Sequence, residues 1–181
     1  MKEEIIIAGF GGQGVLSMGK ILAYGGIMQD QEVSWLPSYG PEMRGGTCNV
    51  SVILSDNKIS SPILSRFDTA IILNQQSMDK FEDKVKPGGL LIYDTNGITR
   101  HPDRKDIRIC RIDAVEEAAK LGNAKAYNMV VLGASLKMKP VVTMENVLKG
   151  LKKSVPPRRH NLIPMNEEAI TVGMNAVVKV Q

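Results

Sequence analysis

The segment that most restricts how this chain folds is Gly9-Phe10-Gly11-Gly12-Gln13-Gly14. It follows a β-branched run, Glu4 to Ala8, and precedes a stretch with helical spacing from about Val15 to Met28. G-x-G-x-x-G between a strand and a helix reads as the turn of a βα unit. Glycine permits positive φ and close backbone approach. The N–H groups at the helix start, at Gly14, Val15 and Leu16, lack helical acceptors and favour an anion. Ser17 adds a hydroxyl. Gly9, Gly11, Gly12, Gln13, Gly14 and Ser17 are therefore the candidate cofactor-binding residues, for an anion or nucleotide-like ligand. The competing reading is a tight turn that only packs helix on sheet.

The remaining pattern extends this unit. Strands are predicted at Glu32–Leu36, Thr47–Leu54, Lys58–Ser60, Thr69–Leu73, Leu90–Tyr93 and Ile107–Ile112. Helices are predicted at Gln75–Val85, Ala114–Leu121, Ala126–Met138, Met144–Lys153 and Asn166–Val180, with Asp113-x-x-Glu116 as a capping box and Thr143 as a cap. Strands alternating with helices imply an α/β fold, a Rossmann-like doubly wound, mostly parallel sheet with a helical C-terminal portion. The strands lack polar alternation, as expected when both faces are covered. The expectation is one domain over residues 1–181, with a sheet core over about 1–112 and a helical portion over about 113–181. The helical tail then covers a sheet face or forms a dimer surface.

Composition narrows the function. The 181 residues are 43% hydrophobic and 23% charged, with a net charge of +4, values of an ordinary globular chain. The mild charge and 4% aromatic content leave no base-stacking platform, so nucleic acid is not an expected partner. No apolar run approaches a bilayer span, and the chain reads as soluble and cytoplasmic. Lys149, Lys152, Lys153, Arg158 and Arg159 form the one basic cluster. It is read either as a solvated helix end or as a dock for an acidic partner or anionic ligand. Two cysteines, Cys48 and Cys110, and two histidines, His101 and His160, are too few for an iron–sulfur cluster or an expected zinc site.

The familiar nucleotide motifs fit poorly. A dinucleotide site expects an acidic residue at the end of the second strand, where this chain has Leu36-Pro37-Ser38. Gly14-x-x-x-x-Gly19-Lys20 is followed by Ile21 and is no P-loop. The second informative run is Ser38-Tyr39-Gly40-Pro41-Glu42-Met43-Arg44-Gly45-Gly46-Thr47. In a doubly wound fold it lies at the carboxyl edge, beside the first turn. Arg44 before two glycines offers a fork-shaped cation on a backbone that a partner can approach. Tyr39, Gly40, Pro41, Glu42, Met43, Arg44, Gly45 and Gly46 are the candidate interface. A plain surface loop with a Glu42–Arg44 pair is the alternative.

These two runs, with Ser61-Pro62, Asp68, Asn128, Leu132-Gly133-Ala134, Asn166, Ala169 and Gly173, resemble the gamma subunit of 2-oxoacid:ferredoxin oxidoreductases over nearly the whole chain. Tyr-Gly-Pro-Glu-Met-Arg-Gly-Gly is closer to the 2-oxoglutarate and branched-chain 2-oxoacid branches than to the pyruvate branch. The resemblance implies a multisubunit enzyme that decarboxylates a 2-oxoacid on thiamine diphosphate, passes electrons through [4Fe–4S] clusters to ferredoxin and forms an acyl-CoA. No Gly-Asp-Gly segment with a downstream Asn pair is present for Mg–diphosphate, and the cysteines are too few for clusters. The implied role is therefore a subunit that binds no cofactor alone and carries no catalytic or metal-ligating residue. Thiamine diphosphate, Mg, [4Fe–4S] clusters and CoA belong to the holoenzyme with alpha, beta and delta-type subunits. The first turn is left with two roles, an interface or an anion/CoA contact, and a homodimer of the isolated chain stays open. The rival readings are a stand-alone nucleotide- or anion-binding α/β module and the partner subunit of an indolepyruvate oxidoreductase. Asp94 reads as a turn cap, and Tyr127 and Asn128 as helix-opening residues that cap or pack. His160 reads as part of an exposed linker, and the methionines of the tail as core filling or a subunit-facing surface.

Overall fold

The computed structural model describes residues 1–39 and 46–181. Seven strands form one sheet in the order β2-β3-β1-β4-β5-β6-β7. They are β1 (Lys2–Phe10), β2 (Glu32–Tyr39), β3 (Thr47–Ser55), β4 (Phe67–Ile72), β5 (Val85–Asp94), β6 (Arg108–Ile112) and β7 (Val178–Lys179). β1, β4, β5 and β6 pair in parallel. β2 and β3 form an antiparallel hairpin whose second strand pairs with β1. β2 therefore points the same way as the parallel core, and only β3 and β7 run against it. The helices are α1 (Val15–Met28), α2 (Gln75–Phe81), α3 (Ala114–Lys120), α4 (Tyr127–Met138), α5 (Met144–Ser154) and α6 (Ile163–Ala176).

Side chains alternate across the pleat, and each face of the sheet has its own core. Ile5, Ile7, Val50, Val52, Leu54, Ile71, Leu90, Ile92 and Cys110 pack against α1, α3, α4, α5 and α6. Ile6, Ala8, Ala70, Ile72, Leu91 and Tyr93 pack against α2 through Met78 and Phe81. Both faces carry helices, but five of the six α-helices among the described residues lie on one side. α4 is buried from Met129 to Leu136, so it has no polar face to give to solvent and serves as the middle of that layer. The tail thus covers a sheet face, and Met129, Met138, Met144 and Met174 pack into its core.

Glycines set how closely these helices approach. A Cβ on Gly133 of α4 would meet the Ile170 carbonyl of α6, and one on Gly173 of α6 would meet the Val130 carbonyl of α4. The two backbones therefore touch. Gly150 of α5 likewise lies against α1, where its Cβ would stand 2.7 Å from the Ile21 oxygen and 2.8 Å from the Gly25 nitrogen. The two close crossings fix how α4 meets α6 and how α5 meets α1.

Four local expectations are corrected. Lys58–Ser60 forms no strand. α2 stops at Phe81, because Val85 already pairs with Phe67 and β5 runs through Lys86-Pro87-Gly88-Gly89. The register shifts there and Gly88 takes φ +76°, so this punctuation is a bulge within a strand rather than a turn. Asp113 makes no side-chain cap for α3. Its carboxylate accepts from the Thr95 hydroxyl instead, and the Ala114 N–H goes to Asp94 Oδ1 at 3.1 Å. The last helix ends at Ala176, and the Val-rich tail adds β7 to the open edge of β6. Thr143 caps α5 as expected, its hydroxyl accepting from Asn146 N.

Because a methyl at either glycine of the α4–α6 crossing has only backbone to displace, Gly133→Ala and Gly173→Ala should each cost about 1–3 kcal/mol. Thermal unfolding should fall by roughly 2–12 °C. Val115→Ala, on the exposed side of α3, should leave it within about 2 °C.

Candidate functional site

The parallel strands end at one edge, and the first βα turn stands at its centre. Gly12 takes φ +97° and Gly14 takes φ +75°, so Gly14 opens α1 in the left-handed region without a side-chain cap. Gly9 and Gln13 are packed inside this turn. Gln13 Oε1 accepts from Phe10 N at 2.6 Å, and Gln13 Nε2 donates to the Leu73 carbonyl at 3.3 Å. A Cβ on Gly9 would meet Leu73 Cβ at 2.9 Å and the same Gln13 oxygen. The Gln13 carboxamide thus ties the end of β1 to the end of β4, a framework role that the sequence reading did not assign. Gly11, Gly12, Gly14 and Ser17 face outward into a cleft of about 290 Å³, which Phe10, Val15, Leu16 and Cys48 complete. A Cβ on Gly12 would meet nothing within 4 Å. The first N–H groups of α1 precede the first helical bond, from Met18 N to Gly14 O at 3.0 Å, and are the donors such a cleft offers to an anion.

The hairpin closes one side of this turn. Phe10 pairs with Thr47, Tyr39 with Cys48, and Gly11 N donates to Gly46 O at 2.9 Å. Gly46 therefore stands at the turn, while Tyr39, at the other end of the expected interface run, lies across β3 from it. Gly40, Pro41, Glu42, Met43, Arg44 and Gly45 lie outside the described residues. The strand beside β1 is the antiparallel β3, so the end of β2 is one strand removed from the turn. This placement, as well as the missing acid, separates the site from a dinucleotide fold, whose ribose-binding acid sits on the strand next to β1.

α4 closes the other side. A Cβ on Gly14 would meet Asn128 Cγ at 2.6 Å and Cβ at 2.7 Å, so Asn128 rests on the turn itself. The next residue back, Tyr127, donates its hydroxyl to Asp94 Oδ2 at 2.9 Å. Asp94 ends β5 and is 1% exposed. Burial pushes its carboxyl above the ordinary range, against the Tyr127 hydroxyl and the Ala114 and Asn96 N–H groups, which stabilise the charge. Burial and the Asp94 carboxylate together push the Tyr127 phenol up. Asp94 and Tyr127 thus brace α4 against the sheet and carry Asn128 to Gly14. The sequence signal for this pair is an Asp closing a strand and a Tyr-Asn opening a buried helix.

Other singled-out residues lie elsewhere. Asp68 is at the opposite edge, where it accepts from Glu4 N at 2.9 Å and pairs with Lys86 at 2.8 Å. Cys48 lines the cleft and Cys110 is in β6, with β1, β4 and β5 between their strands. Burial pushes both thiols up, so both stay protonated at neutral pH. His160 Nε2 lies 3.1 Å from the Lys152 carbonyl, and this contact ties its segment to the end of α5. Among the described residues, no three His, Cys, Asp or Glu side chains gather as a metal site, and no helix is long and apolar enough to cross a membrane.

Residues 4–176 match the family model described as pyruvate ferredoxin/flavodoxin oxidoreductase. The chain belongs to this family. It is 37% identical over 170 residues to the ketoisovalerate oxidoreductase subunit VorA of Methanothermobacter thermautotrophicus, covering 94% of this chain and 35% of the relative. The chain thus spans about a third of the length of that relative. It is 33% identical to the 2-oxoglutarate synthase subunit KorC of Methanocaldococcus jannaschii, covering 86% of this chain and 85% of the relative. The crystal structure of the keto/oxoacid ferredoxin oxidoreductase gamma subunit from Geobacter sulfurreducens superposes with a TM-score of 0.84. It shares 28% identity and covers 97% of this chain and 96% of that one. The family resemblance read from the glycine-rich runs is borne out, and so is the mixed α/β fold. Relatives of this chain are oxidoreductase subunits.

The Asp94 brace has a definite pH signature. In the folded chain the Asp94 carboxyl titrates above its unfolded value of about 3.9, so its own contribution favours folding at acid pH. That contribution is lost as pH rises through the folded value, and the Tyr127 hydroxyl offsets the loss. Tyr127→Phe should therefore cost about 1.5–3 kcal/mol at pH values above the Asp94 titration, where the hydrogen bond is to an ionised carboxylate. In urea unfolding the difference from the parent should shrink as pH falls through the Asp94 titration. A difference independent of pH would contradict the assignment.

Proposed function

We propose that this chain is the gamma-type subunit of a cytoplasmic 2-oxoacid:ferredoxin oxidoreductase that converts a 2-oxoacid to an acyl-CoA, and that its glycine-rich edge contacts CoA. The single observation that carries the subunit reading is the near end-to-end match to the gamma subunit fold at 28% identity, joined to a match with a 2-oxoglutarate synthase subunit that covers 86% of this chain and 85% of the relative. The redox and thiamine chemistry belongs to cofactors on alpha, beta and delta-type partners. This chain then supplies the surface that completes the assembly. On that reading the Tyr39–Gly46 run docks against the catalytic subunits and places the turn at the mouth of their site.

The contact with CoA rests on the chemistry of the turn. Backbone N–H donors at an uncapped helix start suit a diphosphate, and Gly12 leaves the backbone open to close approach. Gly11, Gly12, Gly14 and Ser17 are the proposed contacts. Gly9 and Gln13 keep the turn in shape.

Gly12→Asp and Gly12→Asn test the two roles in the assembled enzyme. Both residue types tolerate positive φ, and they differ by one charge. The Asp variant should raise the KM for CoA about tenfold over the Asn variant, as expected for one lost charge contact. The gap should narrow with salt, with the KM for the 2-oxoacid unchanged. Equal CoA kinetics in both variants would leave the turn as an interface only. Arg44→Ala should weaken assembly, whereas intact assembly with a raised CoA requirement would move Arg44 to the ligand.

A further inference from the structure

A second cleft, of about 150 Å³, lies where α1, α4, α5 and α6 converge. Its polar lining is Ser17, Lys20, Asn128, Ser154 and Asn166, and it contains no carboxylate. The two close crossings create it. Gly150 seats α5 on α1, and Gly173 seats α6 on α4. The crossings thereby bring residues from four helices to one point. Ser17 and Asn128 connect it to the first site, because Ser17 lines both clefts and Asn128 rests on Gly14.

Most donors in this cleft have no protein partner among the described residues. Ser154 gives its hydroxyl to the Leu151 carbonyl at 2.9 Å. Ser17, Asn128 and Asn166, by contrast, make no side-chain hydrogen bond among the described residues. Among the same residues Lys20 makes no salt bridge, and its ammonium lies 5.9 Å from the Tyr24 ring centroid. Glu167 and Glu168 follow Asn166 but are exposed and do not line the cleft. The N-terminal turns of α4 and α6 both open here without a side-chain cap, which adds partial positive charge. Lys152 and Lys153 in the last turn of α5 adjoin Ser154 and extend the positive field.

We propose that this cleft is a second anion site, built for the terminal dianion of a phosphate monoester. A single ammonium with neutral hydroxyl and carboxamide donors suits a phosphate, for which lysine acts as a point charge. A planar carboxylate would call for an arginine fork instead. The volume admits one tetrahedral oxyanion and not a nucleotide. Two sources present this group. One is the ribose phosphate of CoA seated on the neighbouring turn, with its two charged ends on either side of Ser17. The other is a separate phosphorylated metabolite that binds here and acts on the turn through Asn128.

The test is titration of the isotope-labelled 181-residue chain with inorganic phosphate at constant ionic strength, read by amide NMR. Saturable shifts are expected at the Asn128 and Asn166 side-chain amides. Lys20→Met should weaken them about tenfold, and Lys149→Met, whose lysine is paired with Glu145 at 2.7 Å, should leave them unchanged. Lys20 is exposed, so the variant should unfold at the parent temperature. Dephospho-CoA separates the sources. Weaker binding of dephospho-CoA than of CoA, with the gap erased by Lys20→Met, assigns the cleft to the cofactor's own phosphate. Equal binding of the two, with inorganic phosphate bound alongside, assigns it to a separate ligand. Absence of saturable phosphate shifts, or shifts untouched by Lys20→Met, overturns the proposal. The Gly12 variants report on the turn alone, so failure at one site is distinguishable from failure at the other.

Discussion

Everything at the carboxyl edge depends on two positions where the first turn has no room for a Cβ. Gly9 is closed in by the Gln13 carboxamide and Leu73, and Gly14 by Asn128. One contact ties the turn to β4 and the other ties it to α4. The turn is therefore held from both sides before any ligand arrives. A backbone fixed in this way presents its N–H groups in one arrangement, which lowers the entropy cost of receiving an anion. Fixing a glycine costs more chain entropy than fixing any other residue, and the packing of two side-chain amides offsets it.

α4 transmits this constraint to the rest of the molecule. It is buried through its centre, touches α6 backbone to backbone at Gly133 and Gly173, and is braced at its start by Tyr127 on Asp94. The residues that place Asn128 on the turn are thus the residues that build the core layer. A change far from the edge, at the α4–α6 crossing, reaches the turn through a rigid helix rather than through a flexible loop.

Much of this was legible in the sequence. The βα turn, the parallel core and most helices follow from glycine spacing and β-branched runs. Thr143 was readable as a cap because its hydroxyl needs only local geometry. What local pattern does not encode is pairing. β3 reads as a further strand of the sheet, yet its insertion beside β1 is set by the hairpin register from Phe10↔Thr47 to Lys2↔Ser55. Pro87-Gly88-Gly89 reads as a stop, yet tertiary pairing makes it a bulge. Gln13 reads as one residue of a turn that meets either an anion or an interface. Its inward fold depends on the Leu73 carbonyl, 60 residues away in the chain. The convergence of Lys20, Asn128 and Asn166 is invisible for the same reason, since three helices must be placed before the cleft exists.

The proposed function makes this chain one subunit of a 2-oxoacid:ferredoxin oxidoreductase, with its turn at the catalytic subunits' doorway. Affinity purification of the tagged chain from its native cells under anaerobic conditions, with mass spectrometry and a visible spectrum, tests this most directly. The expected result is a brown complex containing a thiamine diphosphate-binding subunit and a cysteine-rich small subunit, which forms an acyl-CoA from one of a panel of 2-oxoacids. A colourless chain that purifies without such companions would contradict it.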